Sequence, residues 1–210
     1  MAESRLRDDI ARLARSLYDR GLTFGASGNI SARTDEGWLM TPTGASLGDL
    51  DPARIAKLDD AGNHVSGDLP TMEAPLHRAM YRERTGTRAV VHLHSTHSVA
   101  VSCLADIDPA DVLPPLTAYY AIRIGTLPLV PFHPPGSNDL AEAVAALAAT
   151  HHAVLLANHG PVVAGKSLAD AVHATEELEQ TAKLFLLLRG MNTHALNPDQ
   201  VATLRDLFPT

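Results

Sequence analysis

Along this chain the spacing of apolar residues changes period again and again, and that alternation limits the architectures open to it. Over residues 4–20, Leu6, Ile10, Leu13 and Leu17 recur at steps of four, three and four, an amphipathic helix that Gly21 stops. A small, Gly-rich segment follows, Gly25-Ala26-Ser27-Gly28-Asn29-Ile30-Ser31. Next come a hairpin about Asp35-Glu36-Gly37 and Trp38-Leu39-Met40 as its second strand. Strand-type runs return at 89–94, 153–157 and 161–164, with a Pro-flanked edge strand at 127–131. Helical patterns cover 74–84, 96–104, the Ala-rich 138–150 and the long 167–189, where Ser167 with Asp170 three residues on has the form of a capping box. Asn197-Pro198 with Gln200 opens a last short helix. Strands and helices interleave with no internal repeat, low-complexity segment or linker, which predicts one α/β domain over residues 1–210.

With 210 residues, 45% of them hydrophobic, such a domain has ample material for a core. Only 4% are aromatic, so that core is mostly Ala, Leu and Val. The formal net charge is −7 and no run of Lys and Arg stands out, which argues against nucleic acid and anionic membrane surfaces as partners. An anionic small molecule stays open if backbone amides or a metal supply local positive potential. Cys103 is the lone cysteine; it permits no intrachain disulfide and reads as a small core residue in its apolar stretch. Charges at Glu3, Arg5, Arg7, Asp8 and Asp9 leave no apolar signal-peptide core, and no apolar run approaches a membrane span. The expected compartment is the cytoplasm.

Eleven histidines are many for this length, and His64, His151, His152, His173 and His194 have no arrangement that suggests a task. Val90-Val91-His92-Leu93-His94 differs. Side chains alternate along a strand, so His92 and His94 share one face while Val91 and Leu93 enter the other layer. Two imidazoles so placed can meet one metal ion; a lone His-x-His pair carries that reading only weakly. His159, in the tight turn Asn158-His159-Gly160 after an apolar strand, is a third candidate, against the plainer reading of a hydrogen-bonded turn histidine. Three His ligands leave a coordination position open, as catalytic zinc requires. Glu73, at a helix start, is on spacing alone an acid favoured by the helix dipole. Ser27-Gly28-Asn29 and Thr43-Gly44 are turns whose glycines would allow a ligand anion close to the backbone.

Taken together these segments resemble the class II aldolase/adducin family. The match runs in order through residues 25–31, Thr41-Pro42-Thr43-Gly44, Pro70-Thr71-Met72-Glu73, His92-Leu93-His94-Ser95 and Asn158-His159-Gly160, nearly the whole chain. The resemblance implies a single α/β/α domain with a central, mainly antiparallel sheet, in a homotetramer with active sites at subunit interfaces. It implies one divalent metal per subunit, usually zinc, on His92, His94 and His159, and Glu73 as catalytic acid/base. Gly28, Asn29, Thr43, Gly44 and Thr71 match the shell around a substrate phosphate. Met72 stands where fuculose-phosphate aldolase has a serine, and it has no hydroxyl to donate.

Within the family, residues 92–98, 113–120, 157–163 and Glu176-Glu177-Leu178-Glu179 resemble the 3-oxo-tetronate 4-phosphate decarboxylases most. That implies loss of CO2 from a 3-oxo acid through a metal-stabilised enediolate, giving dihydroxyacetone phosphate. A proton donor is then needed, and Tyr119 or Tyr120, from a neighbouring subunit, is the candidate; packing is the plainer reading of each. The rivals are a fuculose- or rhamnulose-phosphate type aldolase, a ribulose-phosphate 4-epimerase and an adducin-like scaffold without catalysis.

Overall fold

In the computed structural model, which describes residues 3–208, helix α1 (Glu3–Asp19) leads into the hairpin β1 (Asn29–Thr34) and β2 (Gly37–Met40). Two short strands follow, β3 (Ala56–Leu58) and β4 (His64–Ser66), then α2 (Ala74–Glu83), β5 (Ala89–His92) and α3 (Thr96–Ser102). The second half comprises α4 (Ala118–Arg123), β6 (Leu129–Val130), α5 (Asn138–Ala148), β7 (Ala153–Leu156), β8 (Gly160–Gly165), α6 (Leu168–Leu188) and α7 (Pro198–Leu207).

All eight strands join one sheet in the order β4-β3-β2-β1-β5-β8-β7-β6. Every pairing is antiparallel except that of the edge strand β6 with β7. Helices cover both faces. On one, α2 and α5 bury Leu76, Met80, Leu140 and Val144 against Trp38, Met40, Val90, Val154 and Val162. On the other, α1 and α6 pack Ile10, Leu17 and Val172 on Ile30, Leu39, Val91 and Leu93. A third cluster joins α4 and α6 to Leu155 and Val163. This is the α/β/α layering and the mainly antiparallel sheet that the resemblance implied.

Several local expectations differ from the structure. Strands β3 and β4 and helix α4 escaped the sequence reading. Both strands are three residues long, too short to show a period, and β4 is exposed throughout. Helix α4 lies inside the Pro-rich stretch and is set by Thr117, whose hydroxyl accepts from the Tyr120 amide. At α6 the Ser167 hydroxyl accepts from the Asp170 amide, but the Asp170 carboxylate accepts from Lys166 N–H rather than returning to Ser167. The capping box is complete only at α7, between Asn197 and Gln200. Cys103, expected in the core, is exposed at the end of α3, near the Asn158 amide. Among the described residues no helix is long and apolar enough to cross a membrane.

Candidate metal centre

Three neighbouring pieces of backbone bring the site together. Strand β5 lies between β1 and β8, with Asn29 opposite His92 on one side and Val162 opposite it on the other. The strand ends at His92, and the chain continues through Leu93 to His94. Across from it, Asn158 takes a left-handed conformation (φ 55°) and turns β7 into β8, presenting His159. Gly160 allows that turn to come close: a Cβ there would sit 2.3 Å from the Leu93 carbonyl oxygen.

The three imidazoles converge. Their Nε2 atoms form a triangle with sides of 3.2 Å (His94–His92), 3.3 Å (His92–His159) and 3.1 Å (His159–His94). Glu73 closes the group, its Oε2 3.4 Å from His92 Nε2 and its Oε1 3.3 Å from His159 Nε2. Donor atoms on one tetrahedral ion at about 2.05 Å stand about 3.3 Å apart, so the triangle has the size of a ligand set. The protonation pattern agrees. His92 Nδ1–H donates to the Pro161 carbonyl at 2.8 Å, which leaves the Nε2 lone pair facing the centre. Burial lowers the His92 pKa to about 4 and moves those of His94 and His159 downward too, so all three rings are neutral donors near pH 7. Burial pushes the Glu73 carboxyl upward, but His92 and the Asn29 amide outweigh it and keep the group below the usual carboxylate range. Its Oε1 is buried with no hydrogen-bond partner. An orphaned carboxylate oxygen beside three converging ring nitrogens fits a cation. The residues present suit a divalent metal.

The candidate anion-binding residues gather at the same end of the sheet. Thr43 N–H donates to Leu69 O and Thr71 N–H to Thr41 O, so residues 41–43 and 69–71 run side by side. The Thr71 hydroxyl accepts from the Glu73 amide at 3.3 Å. A Cβ on Gly44 would meet nothing within 4 Å, so that backbone is open to a ligand. Gly28 differs: a Cβ would lie 3.0 Å from the His92 carbonyl oxygen, so this glycine also makes room for a histidine of the cluster. Met72, 66% exposed, lies against the loop at Gly136. Asn29 does more than the sequence indicated. Its side chain is buried, donating from Nδ2 to Glu73 Oε2 at 2.7 Å and facing His77 Nε2 with Oδ1 at 2.6 Å.

The two tyrosines fall elsewhere. Tyr120 is fully buried in the cluster of α4 and α6, its hydroxyl without a partner. Burial pushes its pKa far up, and a hydroxyl enclosed in that cluster cannot reach a substrate, so the expectation that it could serve as a proton donor is corrected. Tyr119 is exposed and lines a 720 Å³ cleft with Arg84, Thr87, Arg123 and Lys166. That cleft adjoins the Ala89–Gly165 end of β5 and β8, whereas His92 lies at the other end, so Tyr119 faces away from its own chain's histidines. Sequence reasoning missed His77, Ser31 and Tyr81, which are buried and bonded to one another behind Glu73. The sequence carried one cue for them: Glu73, His77 and Tyr81 are spaced four apart on a helix.

Residues 8–186 match the family model described as Class II Aldolase and Adducin N-terminal domain. The chain is 50% identical over 210 residues to a 3-oxo-tetronate 4-phosphate decarboxylase of Cupriavidus necator, covering 98% of this chain and 97% of that protein. It is 32% identical over 211 residues to the L-fuculose phosphate aldolase of Escherichia coli, covering 95% of each. Among solved structures it is similar to YgbL of Escherichia coli, described as a putative aldolase/epimerase/decarboxylase. There the TM-score is 0.95 and the identity 45%, over 98% of this chain and 100% of that one.

Proposed function

The chain belongs to the class II aldolase and adducin family, and from that membership we propose that it decarboxylates a 3-oxo-tetronate 4-phosphate to dihydroxyacetone phosphate and CO2. It is an enzyme of the lyase class. The observation that carries the substrate is the gap in likeness, 50% identity with a decarboxylase against 32% with an aldolase, each over nearly the whole chain. The complete His92, His94, His159 and Glu73 group argues for chemistry rather than an adducin-like scaffold.

The ion we assign to the three histidines is zinc, one per chain, since imidazoles with an open position are the donor set of catalytic zinc. When bound, it supplies a Lewis acid for the charge left on the substrate as CO2 departs. The protein's own groups do the rest. Backbone amides at Gly28 and Gly44, with the side chains of Asn29, Thr43 and Thr71, hold the phosphate and set the carboxylate end toward the histidines. Glu73, ionised and held by Asn29, accepts from the hydroxyl at C2 and keeps that carbon oriented. The C2–carboxylate bond breaks, the electron pair stays with the substrate, and a proton must then reach C2. Tyr119 is the donor we assign. It points away from its own centre, which supports a homotetramer in which each active site receives Tyr119 from the next copy. We place the enzyme, acting as one unit over residues 1–210, in the cytoplasm; the single cysteine and the charge of −7 are in keeping with that. Product analysis of the metal-loaded protein on 3-oxo-tetronate 4-phosphates tests the reading: CO2 with dihydroxyacetone phosphate supports it. An aldehyde or an epimer as the product of the good substrate overturns it.

A further inference from the structure

Behind Glu73 runs a line of buried polar groups that none of these steps uses. Glu73, the N-cap of α2, and His77 and Tyr81 within it stand four residues apart on one side of the helix, and Asn29, Ser31 and Arg33 stand two apart on one face of β1. Four helical residues advance about 6.0 Å and two strand residues about 6.8 Å, so the two rows stay nearly in step. They interlock in alternation. Asn29 Nδ2 meets Glu73 Oε2 at 2.7 Å, Asn29 Oδ1 meets His77 Nε2 at 2.6 Å, and His77 Nδ1 meets Ser31 Oγ at 2.7 Å. Ser31 Oγ in turn meets the Tyr81 hydroxyl at 2.7 Å, and the Arg33 guanidinium covers the Tyr81 ring at 4.8 Å. His77 and Ser31 are wholly inaccessible to solvent.

One end of the line fixes the direction of every bond. An ionised carboxylate only accepts, so Asn29 must offer Glu73 its NH2 group and turn its oxygen to His77. His77 must then donate from Nε2. Burial keeps its ring neutral, with a pKa of about 3, so Nδ1 accepts from the Ser31 hydroxyl. Ser31 has then spent its proton, and its oxygen accepts from Tyr81. We propose that Tyr81, Ser31 and His77 form a positioning relay that holds the Asn29 amide in one orientation and thereby aims the Glu73 carboxylate at the reacting centre. None of the three touches substrate. Without His77 the Asn29 side chain is free to turn its oxygen toward Glu73, two acceptors facing each other, and the carboxylate loses the 2.7 Å hydrogen bond that Asn29 Nδ2 gives it.

The relay rests on the reading of Glu73 as part of the active centre, and the test separates the two. Gln places its amide nitrogen where His77 has Nε2 and so still donates to Asn29; Asn reaches only as far as Nδ1. His77→Gln therefore keeps kcat for CO2 release within roughly threefold of the parent, whereas His77→Asn lowers it by roughly 10-fold or more, toward the level of Glu73→Gln, with KM little changed. In the Glu73→Gln background His77→Asn costs less than roughly twofold further, because the group it serves is already gone. Equal losses for Gln and Asn, or full multiplication of the His77→Asn loss in that background, overturn the proposal. Nitrogen-15 NMR of His-labelled protein, with His77→Gln identifying the signal, needs no substrate. It is expected to show His77 neutral and protonated at Nε2; protonation at Nδ1 refutes the relay even if the substrate has been misassigned. Absence of CO2 release by the parent protein refutes the substrate and leaves the NMR result to decide the relay.

Discussion

Replacing Gly160 by Ala adds one methyl group beside the metal centre, and its consequence can be worked from the backbone. The new Cβ would lie 2.3 Å from the Leu93 carbonyl oxygen, and further atoms of Leu93 and His94 stand at 3.3 and 3.4 Å. A carbon and an oxygen tolerate roughly 3.2 Å, so the β8 end or the Leu93–His94 segment must give way by about 0.9 Å. Either movement separates His159 from His94, whose Nε2 atoms now stand 3.1 Å apart. Metal sites hold their ligand distances to within about 0.2 Å, so one histidine is lost or strained. The expected outcome is a fall of at least roughly 10–100-fold in zinc affinity, the range found when a ligand's support is disturbed. Competition against a chromophoric chelator measures it, with circular dichroism to establish that the variant is folded. A folded Gly160→Ala protein with parental zinc affinity would refute the argument that this glycine sets the distance between the two histidines.

Three further outcomes follow from the same geometry. Glu73→Gln keeps size but removes charge and basicity; because the leaving carboxylate is already ionised, kcat for CO2 release falls by less than about 10²-fold, whereas His94→Ala nearly abolishes turnover together with bound metal. If Glu73→Gln is as inactive as His94→Ala while metal is retained, Glu73 handles an obligatory proton instead. Gly28→Ala crowds the His92 carbonyl at 3.0 Å and imposes a side chain at φ +79°, so it should lower both metal retention and thermal stability besides raising KM; a change confined to KM contradicts this. For pH, the folded state holds His77 near pKa 3 against an ordinary value of 6.5, so below pH 6.5 the unfolded chain takes up a proton that the folded one refuses. Stability therefore falls with acid, by about 2 kcal/mol from this residue between pH 7 and 5. Urea titrations of the parent and His77→Gln at both pH values isolate that amount, and equal pH dependences would contradict it.

Much of the sheet was legible because its signals were local, and so were the three histidines as candidates, though only the family resemblance joined them into one ligand set. Alternation along 89–94 placed His92 and His94 on one face, and the apolar runs on either side of Asn158-His159-Gly160 marked a tight β turn. Glu73 was not legible from spacing, since its approach to His159 depends on how α2 packs across β1, a tertiary fact. The relay was half visible. Residues 73, 77 and 81 show the helical interval, but the apolar face read at Leu76 and Met80 masked a polar row beside it. Tyr119 and Tyr120 looked equivalent in the sequence, each a candidate proton donor with packing as the plainer reading. In the six-residue helix that Thr117 caps, neighbours diverge by about 100°, so Tyr119 faces solvent and Tyr120 the core. Cys103 sat among apolar residues, but α3 buries Val101 while leaving Ala100 exposed, and Cys103 is the exposed cap at its end.

A metal held by three histidines is what makes the loss of CO2 possible in the mechanism we propose. Its most direct test is to strip the protein with a chelator, add zinc back in measured steps, and follow CO2 release from a 3-oxo-tetronate 4-phosphate. CO2 and dihydroxyacetone phosphate should rise together and level off at about one zinc per chain, with neither formed by the stripped protein. Undiminished CO2 release from metal-free protein, or a fully loaded protein that releases none from any such substrate, would contradict the account.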